Sequence, residues 1–188
     1  METTTKEQIL KKIRNALMDK PLNPFQNIDV DSSILQDFTD DIDVVFATQF
    51  VEMGGKFAYF STKQEAAVFL DQLLRQNHWD IHEKSNSDIL ELQKPENILA
   101  KSNVWITDAE ALIARNSSIL IAKENINHDN TPFDAVITIA TIDAVVKDIS
   151  DAIAKMKEKQ DSLPQMMSFV KPGESKISKN IYVLLIEK

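Results

Sequence analysis

Residues 135–140, AVITIA, are the part of this sequence that most restricts its fold. The run is rich in β-branched residues and lacks the alternation of polar and apolar residues that a half-exposed strand shows. A strand of this kind is covered on both faces, as happens in a mostly parallel sheet with helices packed on either side. The run therefore predicts a central strand in an α/β protein, with Val136, Ile137 and Ile139 buried.

Helical periodicity occurs on both sides of this strand, at residues 41–53, 61–77 and 141–160. Gly54 is placed to end the first helix in a left-handed conformation. Ser61 and Gln64 form a capping box that opens the second helix, and Thr141 or Asp143 is expected to cap the third.

Further strands are predicted at residues 56–60, 165–170 and 181–186, with a short strand at 80–83 and a short helix at 87–93. Residues 124–132 and 171–180 are polar and are expected to be loops. Strands and helices alternate along most of the chain. This order predicts a three-layer α/β/α sandwich with a mostly parallel sheet, closed by an antiparallel or adjacent last strand.

Residues 104–121 are the expected location of a site. A β-rich run at 104–107 meets a helix-prone piece at 108–114, a polar elbow at 115–118 and a second apolar run. Ligands of open α/β sheets bind outside the carboxyl ends of the strands. We therefore expect Thr107, Ser117, Ser118 and Lys171 to converge at that edge, where their hydroxyl and ammonium groups would suit a small carboxylate or phosphate.

The same polar residues also have simpler explanations. Serines in turns often hydrogen-bond to their own backbone, and Glu110 is placed to be the capping-box partner of Thr107. The loop at 171–180, with three lysines, would meet an anionic ligand or would be a solvated connector. Neither serine lies in a G-x-S-x-G motif, and no histidine is close to them in sequence.

Composition excludes several classes of function. The net charge of −8 argues against nucleic acid and anionic membranes as partners, since both require a basic surface. No run of apolar residues is long enough to span a membrane, and the N-terminus lacks the apolar core of a signal peptide, so a cytoplasmic location is expected. With three glycines, the chain has neither a P-loop nor a dinucleotide-binding fingerprint.

Metal chemistry has little support in this sequence. The chain has no cysteine, so it supplies no thiolate ligands for an iron–sulfur cluster. His78 and His82 are four residues apart, but the segment around Asp80 suggests that the helix has already ended there. We predict no metal site and no cofactor bound by this chain.

The N-terminal segment is expected to form an arm. Residues 5–18 have the periodicity of an amphipathic helix, and residues 19–31 contain Pro21 and Pro24, as linkers do. The predicted organisation is an arm and linker at 1–32 and an α/β domain at 33–188. The apolar stripe of the helix would cover its own domain or join copies of the chain into a homo-oligomer.

Residues from about 40 to 188 resemble the LUD (lactate-utilisation) domain. Its members usually carry I-T-G-A-x-x-x-I-A-E-T-G-T, and Ile106, Thr107, Ala109, Ile113 and Ala114 agree with that pattern. The four residues at 115–118 stand where the family has E-T-G-T. The family's S-G-P-S-R-T-A-D-I-E segment and G-x-H-G-P loop are largely absent here, with a loose correspondence at Pro172 and Ser175.

This resemblance implies a fold similar to that of the CoA-transferases and sugar-phosphate isomerases. It also implies an accessory role beside two iron–sulfur proteins that oxidise L-lactate to pyruvate, with any cluster in those partners. The ligand-binding residues that it suggests, together with the reasoning above, are Thr107, Glu110, Ser117, Ser118, Lys171 and Ser175.

Three functions agree with the sequence. The first is a LUD-like accessory subunit without independent catalysis, and the second is a small-molecule enzyme or binding protein of the same fold group. The third is an interaction module. A pocket near residues 107, 117 and 171 would favour the second, and an exposed apolar patch without a pocket would favour the third.

Overall fold

The computed structural model describes residues 38–81, 85–92, 104–122, 133–159, 164, 167–175 and 177–187. The predicted N-terminal helix, its proline-containing linker and the proposed boundary at residue 32 lie outside these ranges, as does the polar loop at 124–132. The helices are α1 (Ile42–Glu52), α2 (Lys63–Asn77) and α3 (Ile149–Lys159). The strands are β1 (Lys56–Phe60), β2 (Val104–Asp108), β3 (Ala111–Ile113), β4 (Ser118–Ala122), β5 (Ala135–Thr141), β6 (Val145–Val146), β7 (Met167–Val170) and β8 (Ile181–Ile186).

The central sheet has the strand order β1-β8-β5-β2, and every neighbouring pair is parallel. Strand β5 lies inside this sheet, between β8 and β2. Its residues Val136, Ile137 and Ile139 are completely buried. The prediction of a central strand covered on both faces is therefore confirmed.

Helices cover the two faces of the central sheet and give the predicted three-layer α/β/α fold. On one face, α2 packs Ala66 and Leu70 against Ile137 of β5. On the other face, α1 packs Phe46 and Phe50 into the core that contains Trp105, Val136 and Val183. Gly54, at the end of α1, has a φ of 88°, which confirms its predicted left-handed conformation.

A second sheet, in the order β6-β3-β4-β7, adds to the α1 side of the molecule. It joins the central sheet at one corner, where the backbone N–H of Ala109 donates to Ile139 O and that of Glu110 donates to Leu120 O, both at 2.8 Å. The chain thus leaves β2 and enters the second sheet within two residues. Helix α3 covers the outer face, with Ala152 and Met156 packed there.

The prediction of a helix-prone piece at 108–114 was wrong. Residues Ala111–Ile113 form β3, and a short 3-10 turn follows at Ala114–Asn116. Ladders with β4 and β6 satisfy the backbone of β3 on both sides. Tertiary pairing of buried apolar residues outweighs the helix propensity of this sequence.

Two helix starts differ from prediction. Helix α2 is capped by Thr62, one residue later than Ser61. The Thr62 hydroxyl accepts a 3.3 Å hydrogen bond from the Glu65 backbone, and the Glu65 carboxylate accepts one of 3.1 Å from the Ser61 backbone N–H. Helix α3 begins at Ile149, after a 3-10 turn at Ile142–Ala144 and strand β6. Thr141 and Asp143 therefore do not cap it.

Smaller predictions were partly wrong. In the described part of 87–93, the chain forms a turn closed by a bridge between Ser87 and Leu92, with no helix. In the described part of 80–83, Ile81 makes a single parallel bridge with Val104. The predicted strand at 165–170 appears as β7. Among the residues that the structure describes, no helix is long and apolar enough to cross a membrane.

Candidate functional site

Ser117 lies directly after the 3-10 turn that follows β3. It is completely buried and has a φ of 51°, a left-handed conformation that side chains other than glycine adopt at a cost. Its hydroxyl donates a 3.0 Å hydrogen bond to Gln49 Oε1 of α1. The side chain thus holds the elbow against the helix.

Ser118, the first residue of β4, is also buried and bonds locally. Its hydroxyl donates to Asn116 Oδ1 at 2.6 Å, and its backbone N–H donates to the same oxygen at 3.3 Å. This is a turn in which a polar side chain satisfies nearby backbone and hydroxyl groups.

Lys171 and Ser175 stabilise the loop that follows β7. The Lys171 ammonium lies 3.0 Å from Glu174 Oε1, and the Ser175 backbone N–H donates to Lys171 O at 3.1 Å. The Ser175 hydroxyl accepts a 3.2 Å bond from the Ile177 backbone. Gly173, with a φ of 77°, permits the tight turn between them.

Thr107 and Glu110 lie on either side of the corner between the two sheets. Thr107 is completely buried in β2, at the end of the described strand order of the central sheet, and pairs with Thr138 of β5. Its hydroxyl lies 3.4 Å from Asp108 O. Because β3 replaces the predicted helix, Glu110 is not a capping-box partner of Thr107, and its backbone N–H pairs with β4.

Only some of the predicted ligand-binding residues are brought close together by the strand register. Ile119 of β4 pairs with Val170 of β7 in an antiparallel ladder, so the next step of that register places Ser118 opposite Lys171. Thr107 belongs to the central sheet and hydrogen-bonds within its own strand. That these residues bind a shared ligand remains a prediction.

Asp108 is a polar residue that sequence reasoning missed. Its half-buried carboxylate accepts hydrogen bonds from Ser87 Oγ at 2.5 Å, from Asp88 N at 2.7 Å and from Ile89 N at 3.2 Å. Burial raises the pKa of Asp108, although these three hydrogen bonds oppose the rise. The partners are about twenty residues away in sequence, so no local motif signals the contact.

A cleft of about 200 Å³ opens between the start of α2 and the turn that Asp108 holds. It is lined by Lys63, Gln64, Ala67, Ile89, Leu90 and Glu91. The cleft is separate from the predicted group around Ser117 and Lys171. Its walls combine one ammonium and one carboxylate with an apolar floor.

Metal ligands are not grouped in the part of the chain that the structure describes. No three His, Asp or Glu side chains lie close enough there to hold an ion, and the chain has no cysteine. His78 is exposed and ends α2 with a φ of 53°. His82 lies outside the described residues.

Comparison with known proteins now decides the family. The family model of the LUD domain matches residues 3–188, which is nearly the whole chain. The chain belongs to the LUD-domain family. That family is linked to lactate utilisation in general. Comparison with curated proteins gives no match.

A solved structure supports the fold of this LUD domain. The crystal structure of a DUF162 family protein from Deinococcus radiodurans is similar with a TM-score of 0.56 and 12% sequence identity. The similarity covers 77% of this chain and 96% of that one. At this identity the comparison concerns the fold alone.

Asp108 and Ser117 occupy positions of the LUD motif where glycine is usual. In the pattern I-T-G-A-x-x-x-I-A-E-T-G-T these two residues stand at the two glycine positions. Ser117 has the left-handed backbone that glycine adopts most readily. In this chain both positions carry side chains, and each of them makes hydrogen bonds within the fold.

Proposed function

We propose that this LUD domain is an accessory protein of L-lactate oxidation to pyruvate that has no catalytic site of its own in the motif segment. The observation that carries the proposal is that polar side chains of that segment, and Lys171 in the loop after β7, are used within the fold. Ser117 bonds to Gln49, Ser118 bonds to Asn116, and Lys171 pairs with Glu174. A nucleophilic serine needs a hydrogen bond to a base, whereas these two hydroxyls donate to amide oxygens and Lys171 is held in an ion pair.

The proposed partners are two iron–sulfur proteins that carry the redox chemistry. The chain has no cysteine, so thiolate-held clusters would belong to those partners. The family's link to lactate utilisation supports this assignment of substrate. The chain's contribution would then be to assemble or stabilise the complex.

A complementation experiment in the source organism tests this role. The gene is deleted, and growth on L-lactate as the carbon source is compared with growth on pyruvate. We expect the deletion strain to fail on L-lactate alone. The wild type, Ser118→Ala and Lys171→Ala should all restore growth, because the last two changes remove only internal contacts.

Two results would contradict the proposal. Unimpaired growth of the deletion strain on L-lactate would exclude a role in its oxidation. Loss of growth with a Lys171→Ala protein that is folded and present at normal levels would mean that Lys171 acts on a ligand. Affinity purification of the tagged wild type should recover two cysteine-rich iron–sulfur proteins, identified by mass spectrometry.

A further inference from the structure

One short turn directs three hydrogen-bond donors at a single carboxylate. The Ser87 hydroxyl donates to Oδ1 of Asp108, and the backbone N–H groups of Asp88 and Ile89 both donate to Oδ2. Consecutive N–H groups that point into one concavity form an anion-binding nest. Residues 87–89 are called the carboxylate nest below.

The carboxylate nest is shaped by contacts that do not involve Asp108. The Leu92 backbone N–H donates to Ser87 O at 2.9 Å and closes the turn. The Leu90 N–H donates to Ser87 Oγ at 3.1 Å, which leaves the hydroxyl proton free to point into the nest. Ile89 and Leu90 pack against the apolar core under α2. The donors should therefore keep their orientation when the carboxylate is absent.

The donors that hold the carboxylate are neutral. Within the described part of the chain, the charged neighbour that affects Asp108 is Asp88, a like charge that raises its pKa together with the larger effect of burial. The hydrogen bonds from Ser87, Ile89 and Asp88 favour the charged form and oppose that rise. Among the residues that the structure describes, recognition in this nest thus depends on hydrogen-bond geometry, with no ion pair to a basic residue.

We propose that residues 87–89 are a carboxylate-binding site that the chain fills with its own Asp108. The nest would accept a small free monocarboxylate, such as acetate or lactate, when the Asp108 side chain is removed or displaced. Ile89 also lines the neighbouring cleft, so the nest and the cleft adjoin. This proposal is independent of the accessory role in lactate oxidation.

Chemical rescue tests the proposal in the full-length protein. Asp108→Gly empties the nest, whereas Asp108→Asn fills it with a neutral side chain of the same shape and serves as the matched control. Thermal unfolding is measured against increasing sodium acetate and sodium L-lactate, with sodium chloride and acetamide at equal concentrations as controls. We expect a saturable rise in Tm for Asp108→Gly with the two carboxylates, in the millimolar range, and no such rise for Asp108→Asn or the wild type.

An equal response of Asp108→Gly and Asp108→Asn to acetate would overturn the proposal. If Asp108→Gly does not fold without added salt, its refolding yield in acetate is compared with that in acetamide, and equal yields would also count against it. A second measurement uses the wild type and Ser87→Ala, with the Asp108 carboxyl carbon followed by NMR against pH. Loss of the Ser87 donor should raise the Asp108 pKa, and an unchanged midpoint would show that the nest does not hold the carboxylate.

Discussion

Ser117 donates a 3.0 Å hydrogen bond to Gln49 Oε1, although the two residues are 68 positions apart in sequence. The bond joins the elbow between β3 and β4 to helix α1. Its donor has a left-handed backbone, so the position combines a favourable contact with an unfavourable conformation. The two effects can be separated by mutation.

Ser117→Ala should destabilise the protein by about 1–2 kcal/mol, because it keeps the left-handed backbone and leaves Gln49 without this donor. Ser117→Gly should lose about 1 kcal/mol less stability than Ser117→Ala, since glycine adopts a positive φ without strain. Urea denaturation gives both values. Ser61→Ala, at an exposed serine, is the control and should change stability by less than about 0.5 kcal/mol. Equal losses for the two Ser117 variants would show that the backbone is not strained there.

Ile137→Ala should cost about 2–5 kcal/mol, because the residue is completely buried in the middle of the central sheet. Val68→Ala on α2 is the control, since 57% of Val68 is exposed. Its free energy of unfolding should change by less than about 0.5 kcal/mol. A loss below about 0.5 kcal/mol for Ile137→Ala would be inconsistent with a central, doubly covered strand.

The central sheet could be predicted because its signal is local. Residues 135–140 carry the absence of alternation in their own sequence, and Gly54 marks the end of α1 without any reference to tertiary structure. The short strand β3 has no comparable signal. Ala111–Ile113 is long enough for only one helical turn or one short strand, and its pairing with β4 and β6 decides between them.

The predicted site shows the same division between local and distant information. The local contacts of Ser118 with Asn116 and of Lys171 with Glu174 could be anticipated as ordinary turn chemistry. The contact between Asp108 and Ser87 could not be anticipated, because Ser87 comes close to Asp108 only after the chain has folded. The bond between Ser117 and Gln49 depends on tertiary structure in the same way.

Asp148 is expected to stabilise α3 as its N-terminal cap, a role that the sequence had suggested for Thr141 or Asp143. Its carboxylate accepts hydrogen bonds from the Ser150 hydroxyl and from the backbone N–H groups of Ser150 and Asp151. Asp148→Ala should cost about 1 kcal/mol at neutral pH. Asp148→Asn should cost much less, because asparagine also caps helices well. Thermal or urea unfolding of both variants checks this order, and equal losses would contradict the cap.

The pH dependence of Asp148 follows from its lowered pKa. The largest cause of the lowering is the hydrogen bond that the Ser150 hydroxyl donates to its carboxylate. A carboxyl group with a lower pKa in the folded state stabilises the fold above its unfolded pKa, and this contribution disappears as the pH falls through the folded value. The stability difference between the wild type and Asp148→Asn should therefore shift against the wild type as the pH is lowered below 3.8. Urea denaturation over this range measures it, and a constant difference would contradict the prediction.

Asp108 should show the opposite pH dependence. Burial raises its pKa above the ordinary value of 3.8, so the folded state binds a proton at a pH where the unfolded state does not. As the pH falls through the raised pKa towards 3.8, the wild type should gain stability relative to Asp108→Asn, which has no charge to lose there. Above that window the difference should be constant. Denaturation of both proteins from about pH 3 to pH 7 covers the transition. If the wild type instead loses stability relative to Asp108→Asn in this window, the hydrogen bonds from Ser87, Asp88 and Ile89 outweigh the cost of burial, and the pKa of Asp108 is lowered by folding.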